Sequence, residues 1–267
     1  MGARIVRFNP PPNWPAPPPG WNPPPDWKPD PAWPVPDGWQ LWLPDLEPRG
    51  TILPVYFVAD ESSSMARNVG DLNAGLLSLL DTLQSESMAA SKVRFCVIGF
   101  SDGARCHLPP TDLRYLEVMP TLTARGTTSF RAAFEALMQQ IPSDIAHLKN
   151  EGYLVNRPAV FFLTDGAPNH GDGWEAAHAQ LLGISARPNI LAFGIGRADG
   201  VVVQRVATNP QYAFMSASGT DTGIAISQFI TALTQSVINS GQALASGSAS
   251  LQFEKPEGFL SLAVDTV

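Results

Sequence analysis

From residue 51 onward, short apolar runs alternate with segments in which apolar side chains recur at helical spacing. Residues 52–59 form a continuous apolar run, which is typical of a strand buried on both faces. The next segment places leucines 72, 76, 79, 80 and 83 on one helical face. Further strands are predicted at residues 93–100, 105–108, 159–164, 190–195 and 212–215, and further helices at 130–141, 174–182, 201–207 and 226–237. This alternation predicts an α/β fold with a doubly wound, mainly parallel central sheet flanked by helices.

The first 48 residues differ in composition from the rest of the chain. Of 26 prolines, 16 lie there, together with six of the seven tryptophans. Because proline lacks an amide hydrogen and fixes φ, we expect neither helix nor central strand in this stretch. The sequence therefore predicts three parts: an irregular, extended Pro/Trp-rich arm (residues 1–48), one α/β domain (residues 49–243), and a Gly/Ser linker with a C-terminal tail (residues 244–267).

The tryptophans of the arm settle into a six-residue spacing, at Trp14, Trp21, Trp27, Trp33 and Trp39. A polyproline II helix has three residues per turn, so this spacing would place the last three on one edge, with neighbouring rings about 19 Å apart. The Asp- and Gly-containing joints could instead fold the arm into successive turns. We interpret the five tryptophans as a partner-binding segment, because exposed aromatic side chains are favoured at interfaces. A docked or disordered linker is the alternative.

The net charge, the N-terminal sequence and the cysteine count argue against nucleic-acid-binding, secreted and membrane-spanning proteins. The net charge is −7, and no cluster of Lys or Arg offers the basic surface that nucleic-acid phosphates require. The N-terminus lacks the apolar stretch of a secretory signal, and no apolar run is long enough to span a bilayer. Two cysteines, Cys96 and Cys106, are too few for a disulfide scaffold. We therefore expect a cytoplasmic protein with reduced thiols, no nucleic-acid partner and no membrane span.

Candidate chemistry follows two of the predicted strands. Asp60 and Asp165 each come directly after an apolar strand, and binding sites in open α/β sheets form at the carboxyl ends of strands. Ser62 and Ser64 follow Asp60 at alternate positions, and a Thr-Thr pair at residues 127–128 precedes a predicted helix. Magnesium prefers oxygen ligands, so these hydroxyls and carboxylates indicate a divalent-cation site.

At these residues the chain resembles a von Willebrand factor A domain, a Rossmann-like fold with a metal-ion-dependent adhesion site. The three motifs of that site are Asp-x-Ser-x-Ser, Gly-Gly-Thr and Thr-Asp-Gly. They read here as Asp60-Glu-Ser-Ser-Ser, Gly126-Thr-Thr and Thr164-Asp-Gly. The resemblance implies that Mg²⁺, or another divalent cation such as Mn²⁺ or Ca²⁺, is held by three hydroxyls and by two carboxylates acting directly or through water: Asp60, Ser62, Ser64, Thr128 and Asp165.

The resemblance also implies the kind of partner. Hydroxyl ligands leave the cation under-neutralised, so an Asp or Glu of a partner protein completes the coordination shell. The stretch at residues 163–168 and the later Trp174 are similar to bacterial tellurium-resistance proteins of the TerY type. That similarity implies a bacterial, cytoplasmic adaptor with a protein kinase or phosphatase of the same system as its partner.

Two residues depart from the family pattern. Ser63 stands where Gly is common between the two serines, and Thr127 replaces the second Gly, which leaves either Thr127 or Thr128 as the hydroxyl ligand. We favour Thr128. Taken singly, Ser62 and Ser64 could also cap the helix that follows them, and the Asp-Gly at residues 165–166 could be an ordinary turn.

A zinc site is a further alternative, because four potential ligands follow the second strand end. They lack a compact ligand spacing, so we expect a solvated loop instead; they are His170, Asp172, Glu175 and His178.

The sequence predicts a non-enzymatic protein-interaction module, an adaptor or scaffold with the Pro/Trp arm as a second docking element. The candidate site has no His, Lys or Cys placed as a general base or nucleophile. A metal-dependent phosphohydrolase or phosphotransferase is one alternative, since Asp60 follows an apolar strand as nucleophilic aspartates do. Ser62, however, stands where such enzymes usually carry a second Asp. A structural subunit of a larger assembly, held by the arm, is the other alternative.

Overall fold

The computed structural model describes residues 6–11, 14–15, 23, 27–36, 41–44, 49–248 and 250–263. The chain divides into two compact units, residues 1–49 and residues 50–267. Of the five tryptophans predicted to bind a partner, Trp21 and Trp39 lie outside the described residues.

An aromatic cluster organises the N-terminal unit. Two short strands, β1 (Val6–Phe8) and β2 (Trp42–Pro44), pair antiparallel. The ring of Phe8 lies 5.2 Å from that of Trp27 and 5.4 Å from that of Trp42, measured between centroids. The buried Trp14 contacts the Phe8 ring at 6.4 Å and donates a hydrogen bond from Nε1 to the carbonyl of Pro34 at 3.0 Å.

The described tryptophans are therefore not spaced along the edge of one extended helix. Trp27 and Trp33 both lie within 6.5 Å of the Trp14 ring, which is incompatible with a separation of about 19 Å. A turn closed by a hydrogen bond from Trp33 N to Asp30 O interrupts the extended backbone. Burial of large aromatic area outweighs the local polyproline preference, so the alternative of successive turns describes this segment better.

The described part of residues 50–267 forms one mixed sheet between two layers of helices. Its strands are β3 (Thr51–Asp60), β4 (Val93–Phe100), β5 (Ala104–Thr111), β6 (Leu154–Val155), β7 (Ala159–Thr164), β8 (Asn189–Gly194), β9 (Ala213–Ser216) and β10 (Phe259–Ser261). The order across the sheet is β10-β9-β8-β7-β3-β4-β5, with β6 paired to β3. The edge strands β5 and β10 run antiparallel to their neighbours, and the other pairs are parallel.

The helices lie on both faces of this sheet, as the doubly wound prediction requires. They are α1 (Val69–Ser85), α2 (Ser87–Ser91), α3 (Phe130–Asn150), α4 (Trp174–Gly183), α5 (Gly200–Val206) and α6 (Thr222–Ala245). Alternate side chains of β3 enter different cores: Val55 and Phe57 pack with α1, α2 and α6, whereas Tyr56 and Val58 pack with α3, α4 and α5. Burial on both faces explains why these strands read as continuous apolar runs.

The C-terminal segment differs from the expected tail. Helix α6 extends to Ala245, and β10 then adds a strand to the sheet beside β9. Phe259 is buried in the core, and the hydroxyl of Ser236 in α6 accepts a hydrogen bond from Glu254 N at 2.8 Å. Burial of this single aromatic side chain fixes a strand too short to show a period in the sequence.

In the part of the chain that the structure describes, every helix is too short or too polar to cross a bilayer.

The contact between α6 and α2 gives a stability prediction. A Cβ built on Gly241 would approach the backbone of Ala89 to 2.8 Å at its carbonyl carbon, and backbone atoms cannot turn aside. We expect Gly241→Ala to destabilise the fold by about 1–3 kcal/mol despite the better helix propensity of Ala. Gly70→Ala in α1, where nothing lies within 4 Å, should be neutral or stabilising by up to about 1 kcal/mol. Thermal unfolding of both variants checks this, and equal stabilisation of the two would contradict it.

Candidate metal centre

Two parallel strands bring the two acidic strand ends together. β3 and β7 pair in parallel as far as Ala59 opposite Leu163. Asp60 at the end of β3 therefore lies beside Thr164 at the end of β7, and both are almost fully buried. The site forms at the carboxyl ends of the strands, where open α/β sheets place their ligands.

Both carboxylate oxygens of Asp60 accept hydrogen bonds. Oδ1 accepts from the backbone N of Ser62 at 2.8 Å, and Oδ2 accepts from Thr164 Oγ1 at 2.7 Å. Burial raises the pKa of Asp60, because the charged form is poorly solvated there, and the hydrogen bonds to Ser62 and Thr164 offset only part of this effect. Asp60 is thus a rigidly held carboxylate whose charged form a nearby cation would stabilise.

The two serines of the first motif connect Asp60's loop to Asp165. Ser62 Oγ and Ser64 Oγ are 2.9 Å apart, and Ser64 Oγ donates to Asp165 Oδ1 at 2.6 Å. Burial raises the pKa of Asp165, and the hydrogen bond from Ser64 and the charge of Arg197 oppose that rise. Ser62 occupies the N-cap position of the 3₁₀ helix Ser63–Arg67, yet its side chain makes no capping hydrogen bond. The capping interpretation therefore does not account for this hydroxyl.

The neighbouring threonines have different surroundings. The exposed Thr127 uses its hydroxyl twice, donating to Asp102 Oδ1 at 2.5 Å and accepting from Asn169 Nδ2 at 2.9 Å. Thr128 is 9% exposed and is held by its backbone, whose N donates to Asn169 Oδ1 and whose O accepts from Asn169 N. Thr128 makes no hydrogen bond to the other four candidate ligands within the described residues. The occupied hydroxyl of Thr127 favours Thr128 as the ligand.

Glu61 ties the first motif to its neighbours. Its side chain is buried, accepts from Thr123 N at 2.8 Å through Oε1, and contacts His107 Nε2 at 3.0 Å through Oε2. Beside it, the hydroxyl of Ser63 donates to Gly126 O at 2.8 Å, so the departure from Gly at this position adds a link between the two loops. These contacts position the motif without contributing a candidate ligand.

The donor set fits a hard divalent cation. All five candidate side chains offer oxygen, the ligand atom that Mg²⁺, Mn²⁺ and Ca²⁺ prefer. Two buried carboxylates with raised pKa values, Asp60 and Asp165, lie where β3 and β7 end, and a cation would stabilise their charged forms. Such a cation would act as a Lewis acid that accepts one more oxygen ligand.

The comparison with protein-family models decides the family. The model described as von Willebrand factor type A domain matches residues 55–229. The chain belongs to the von Willebrand factor type A (VWA) domain family. A search of the curated proteins found no match for this VWA chain.

Solved structures similar to this VWA chain include adhesion and matrix proteins. The pilus adhesin SpaC from Lactobacillus rhamnosus GG, in an open conformation, has a TM-score of 0.55 and 14% identity, covering 74% of this chain and 31% of that one. Proximal thread matrix protein 1 from the mussel byssus has a TM-score of 0.51 and 18% identity, covering 72% of this chain and 49% of that one. This chain spans about half or less of the chains that it matches, and identities this low show the fold alone.

Three of the four residues in the alternative zinc set have other partners in this VWA domain. His178 is buried, and its Nε2 contacts the carbonyl of Val206 at 3.0 Å. Asp172 binds the first turn of α3, and Glu175 pairs with Arg205 at 3.2 Å. Across the described ranges, no group of three or more His, Cys, Asp or Glu side chains is placed to hold a metal. The expected solvated loop is wrong for His178, which is buried in α4, whereas Asp172 lies in a half-buried loop and contacts the first turn of α3.

Two residues that hold the loops of the candidate ligands in place were not identified by the sequence motifs. Glu61 occupies an unspecified position of Asp-x-Ser-x-Ser, and Asn169 lies outside all three motifs. One signal for Glu61 was Gly99, a glycine inside the otherwise bulky buried strand β4, because such a glycine often marks the close approach of another group. Asn169 had no comparable signal.

Gly99 leads to a prediction for the metal centre. A Cβ at this position would overlap the carboxylate of Glu61 and come within 2.7 Å of His107 Nε2. Gly99→Ala should therefore displace Glu61, loosen the first motif, lower the unfolding free energy by about 1–3 kcal/mol and weaken Mg²⁺ binding. The matched control is Gly103→Ala in the adjacent turn, where nothing lies within 4 Å. Calorimetric Mg²⁺ titration and thermal unfolding test both; wild-type behaviour of Gly99→Ala would contradict the positioning role.

Proposed function

We propose that this VWA domain is a non-enzymatic protein-interaction module that binds an Asp or Glu of a partner through a divalent cation. The cation, Mg²⁺ foremost, would be held by Asp60, Ser62, Ser64, Thr128 and Asp165. The observation that carries the proposal is the hydroxyl chain from Ser62 through Ser64 to Asp165, which joins the ends of two strands by hydrogen bonds of 2.9 and 2.6 Å.

Charge around the site supports an acidic partner. Three of the five ligands are hydroxyls that add no charge, and a carboxylate that acts through water neutralises the cation less than a direct ligand does, so a bound divalent cation would still attract a partner's carboxylate. Burial raises the pKa of Asp165, and the charge of the exposed Arg197 opposes that rise; hydrogen bonds from Thr127 and then the charge of Arg125 lower the pKa of Asp102. A cavity of about 280 Å³ adjoins the site and is lined by Arg105 and Arg125 as well as by Glu61 and Asp102. In a chain of net charge −7, the exposed Arg125 and Arg197 would offer an acidic partner local attraction at this end.

The surroundings of Asp60 support a binding role over an enzymatic one. An aspartate nucleophile needs an oxygen that can reach a substrate. Asp60 is fully buried, and hydrogen bonds from Ser62 N and Thr164 Oγ1 engage both of its oxygens. This geometry suits a carboxylate that orients a cation-binding loop.

We further propose a cytoplasmic, bacterial adaptor of the TerY type, with a protein kinase or phosphatase as its partner. The similarity at residues 163–168 supports this, as do the free cysteines Cys96 and Cys106. The N-terminal unit would be a second docking element. Within it, Trp33 is 36% exposed, whereas Trp14 is buried, so Trp33 is the better candidate for contact with a partner.

A matched pair of threonine variants tests the ligand set. Thr128→Val and Thr127→Val each remove one hydroxyl and keep the side-chain shape. We expect Thr128→Val to weaken Mg²⁺ binding on the order of tenfold or more, as loss of a metal ligand should, and Thr127→Val to retain most of the affinity. Isothermal titration calorimetry of the full chain measures both. The reverse order would assign Thr127 as the ligand, and no Mg²⁺ binding by the wild type would refute the site.

Metal-dependent capture tests the function. The full chain on a solid support should retain a partner from a lysate of its own organism in Mg²⁺ and release it in EDTA. Asp165→Asn should abolish retention, because it removes a buried charge from the cation site. Asp81→Ala, at an exposed position of α1, serves as the control. Retention that is indifferent to both EDTA and Asp165→Asn would rule out a metal bridge.

A further inference from the structure

A second recess lies at the opposite end of the sheet from the metal centre. Its volume is about 510 Å³, within the range of functional clefts. The C-terminal half of α3, the segment from β6 to the start of β7, and residues 185–187 before β8 form its walls. Because β7 and β8 begin here and end at the metal centre, the recess opens at the amino ends of these parallel strands.

The recess coincides with a gap in the sheet. β6 pairs with β3 at Thr51–Leu154 and Ile52–Val155, and β7 pairs with β8 only from Ala159–Asn189 onward. Between these levels, residues 185–187 line the recess and form no ladder with β6. β3 is thus the sole strand partner of β6 in the described sheet.

The open edge of β6 presents backbone groups to this gap. The amides of Leu154 and Asn156 donate to Gly50 O and Ile52 O at 3.0 and 2.9 Å. Backbone groups alternate in direction along a strand, so those of Val155 between them point away from β3. Val155 itself lines the recess. An unpaired strand edge is a template for an added strand.

The side chains around the gap are cationic and apolar. Lys149, Arg157 and Arg187 line it and are exposed, and no acidic residue is among its lining. None of the three cations forms an ion pair with a described residue. Ile145 and Pro158 supply apolar surface between them. Three uncompensated cations in one recess contrast with the net charge of −7 for the chain.

We propose that this recess binds an extended, acidic segment of a partner protein that carries both carboxylate and apolar side chains. The segment would add a short strand to β6, with main-chain hydrogen bonds supplying affinity. Its carboxylates would face Lys149, Arg157 and Arg187, and its apolar side chains would pack on Ile145 and Val155. Binding here does not involve the cation site, so it is expected to persist in EDTA.

The probe for this proposal is the blocked hexapeptide acetyl-Glu-Val-Glu-Val-Glu-Val-amide, titrated calorimetrically into the full chain in EDTA. The triple variant Lys149→Glu, Arg157→Glu, Arg187→Glu should weaken binding on the order of tenfold or more, since each reversal replaces attraction by repulsion. Lys255→Glu makes one such charge reversal at an exposed position outside the recess and should leave binding unaltered. Circular dichroism verifies that the variants are folded.

Two further ligands separate strand addition from general anion binding. The same peptide with its valine amides N-methylated keeps the charges but loses hydrogen-bond donors, and we expect it to bind several-fold more weakly. Inorganic phosphate at equal concentration should not compete with the parent peptide. Equal binding of the N-methylated peptide, competition by phosphate, or indifference to the triple reversal would each overturn the proposal. Loss of peptide binding in EDTA would place the peptide at the metal centre instead.

Discussion

The hydrogen bond from Thr164 Oγ1 to Asp60 Oδ2, 2.7 Å long, joins the ends of two adjacent parallel strands. It exists because β3 and β7 are buried on both faces and locked in register by their alternating apolar side chains. A shift of one residue in either strand would turn these polar ends toward the cores. The loops with Ser62, Ser64 and Asp165 all start from this junction, so the chemistry of the site depends on how well the sheet is packed.

The α/β unit and the candidate ligands were predictable from the sequence because each rested on a repeated or local signal. The leucines of α1 recur at helical spacing, and the acidic strand ends follow apolar runs. The cross-strand role of Glu61 and the clamp formed by Asn169 were not predictable in the same way. Both depend on loops distant in sequence that meet only after folding, such as Asn169 with Thr128.

The short strand β10 and the aromatic cluster of the N-terminal unit were likewise not predictable from the sequence. β10 has three residues and is fixed by the burial of Phe259, a contact that no local period reveals. In the N-terminal unit, a regular tryptophan spacing suggested regular geometry, yet Phe8 and Trp14 gather the described rings into one cluster. A chain this rich in proline loses less backbone entropy on folding, so few aromatic contacts can hold the described residues of this unit together with only two short strands.

The edges of the sheet bear on how this protein behaves at high concentration. β5 contains Pro109 and Pro110, which have no amide hydrogen to offer, and β10 is only three residues long. Neither outer edge therefore presents a long row of donors on which a second copy could grow by strand pairing. A sheet whose edge strands are short or contain proline resists fibre formation, even when its central strands carry many aromatic and aliphatic side chains. The two outer edges of the described sheet thus offer little opportunity for strand pairing with a second copy, although the core between them is strongly apolar.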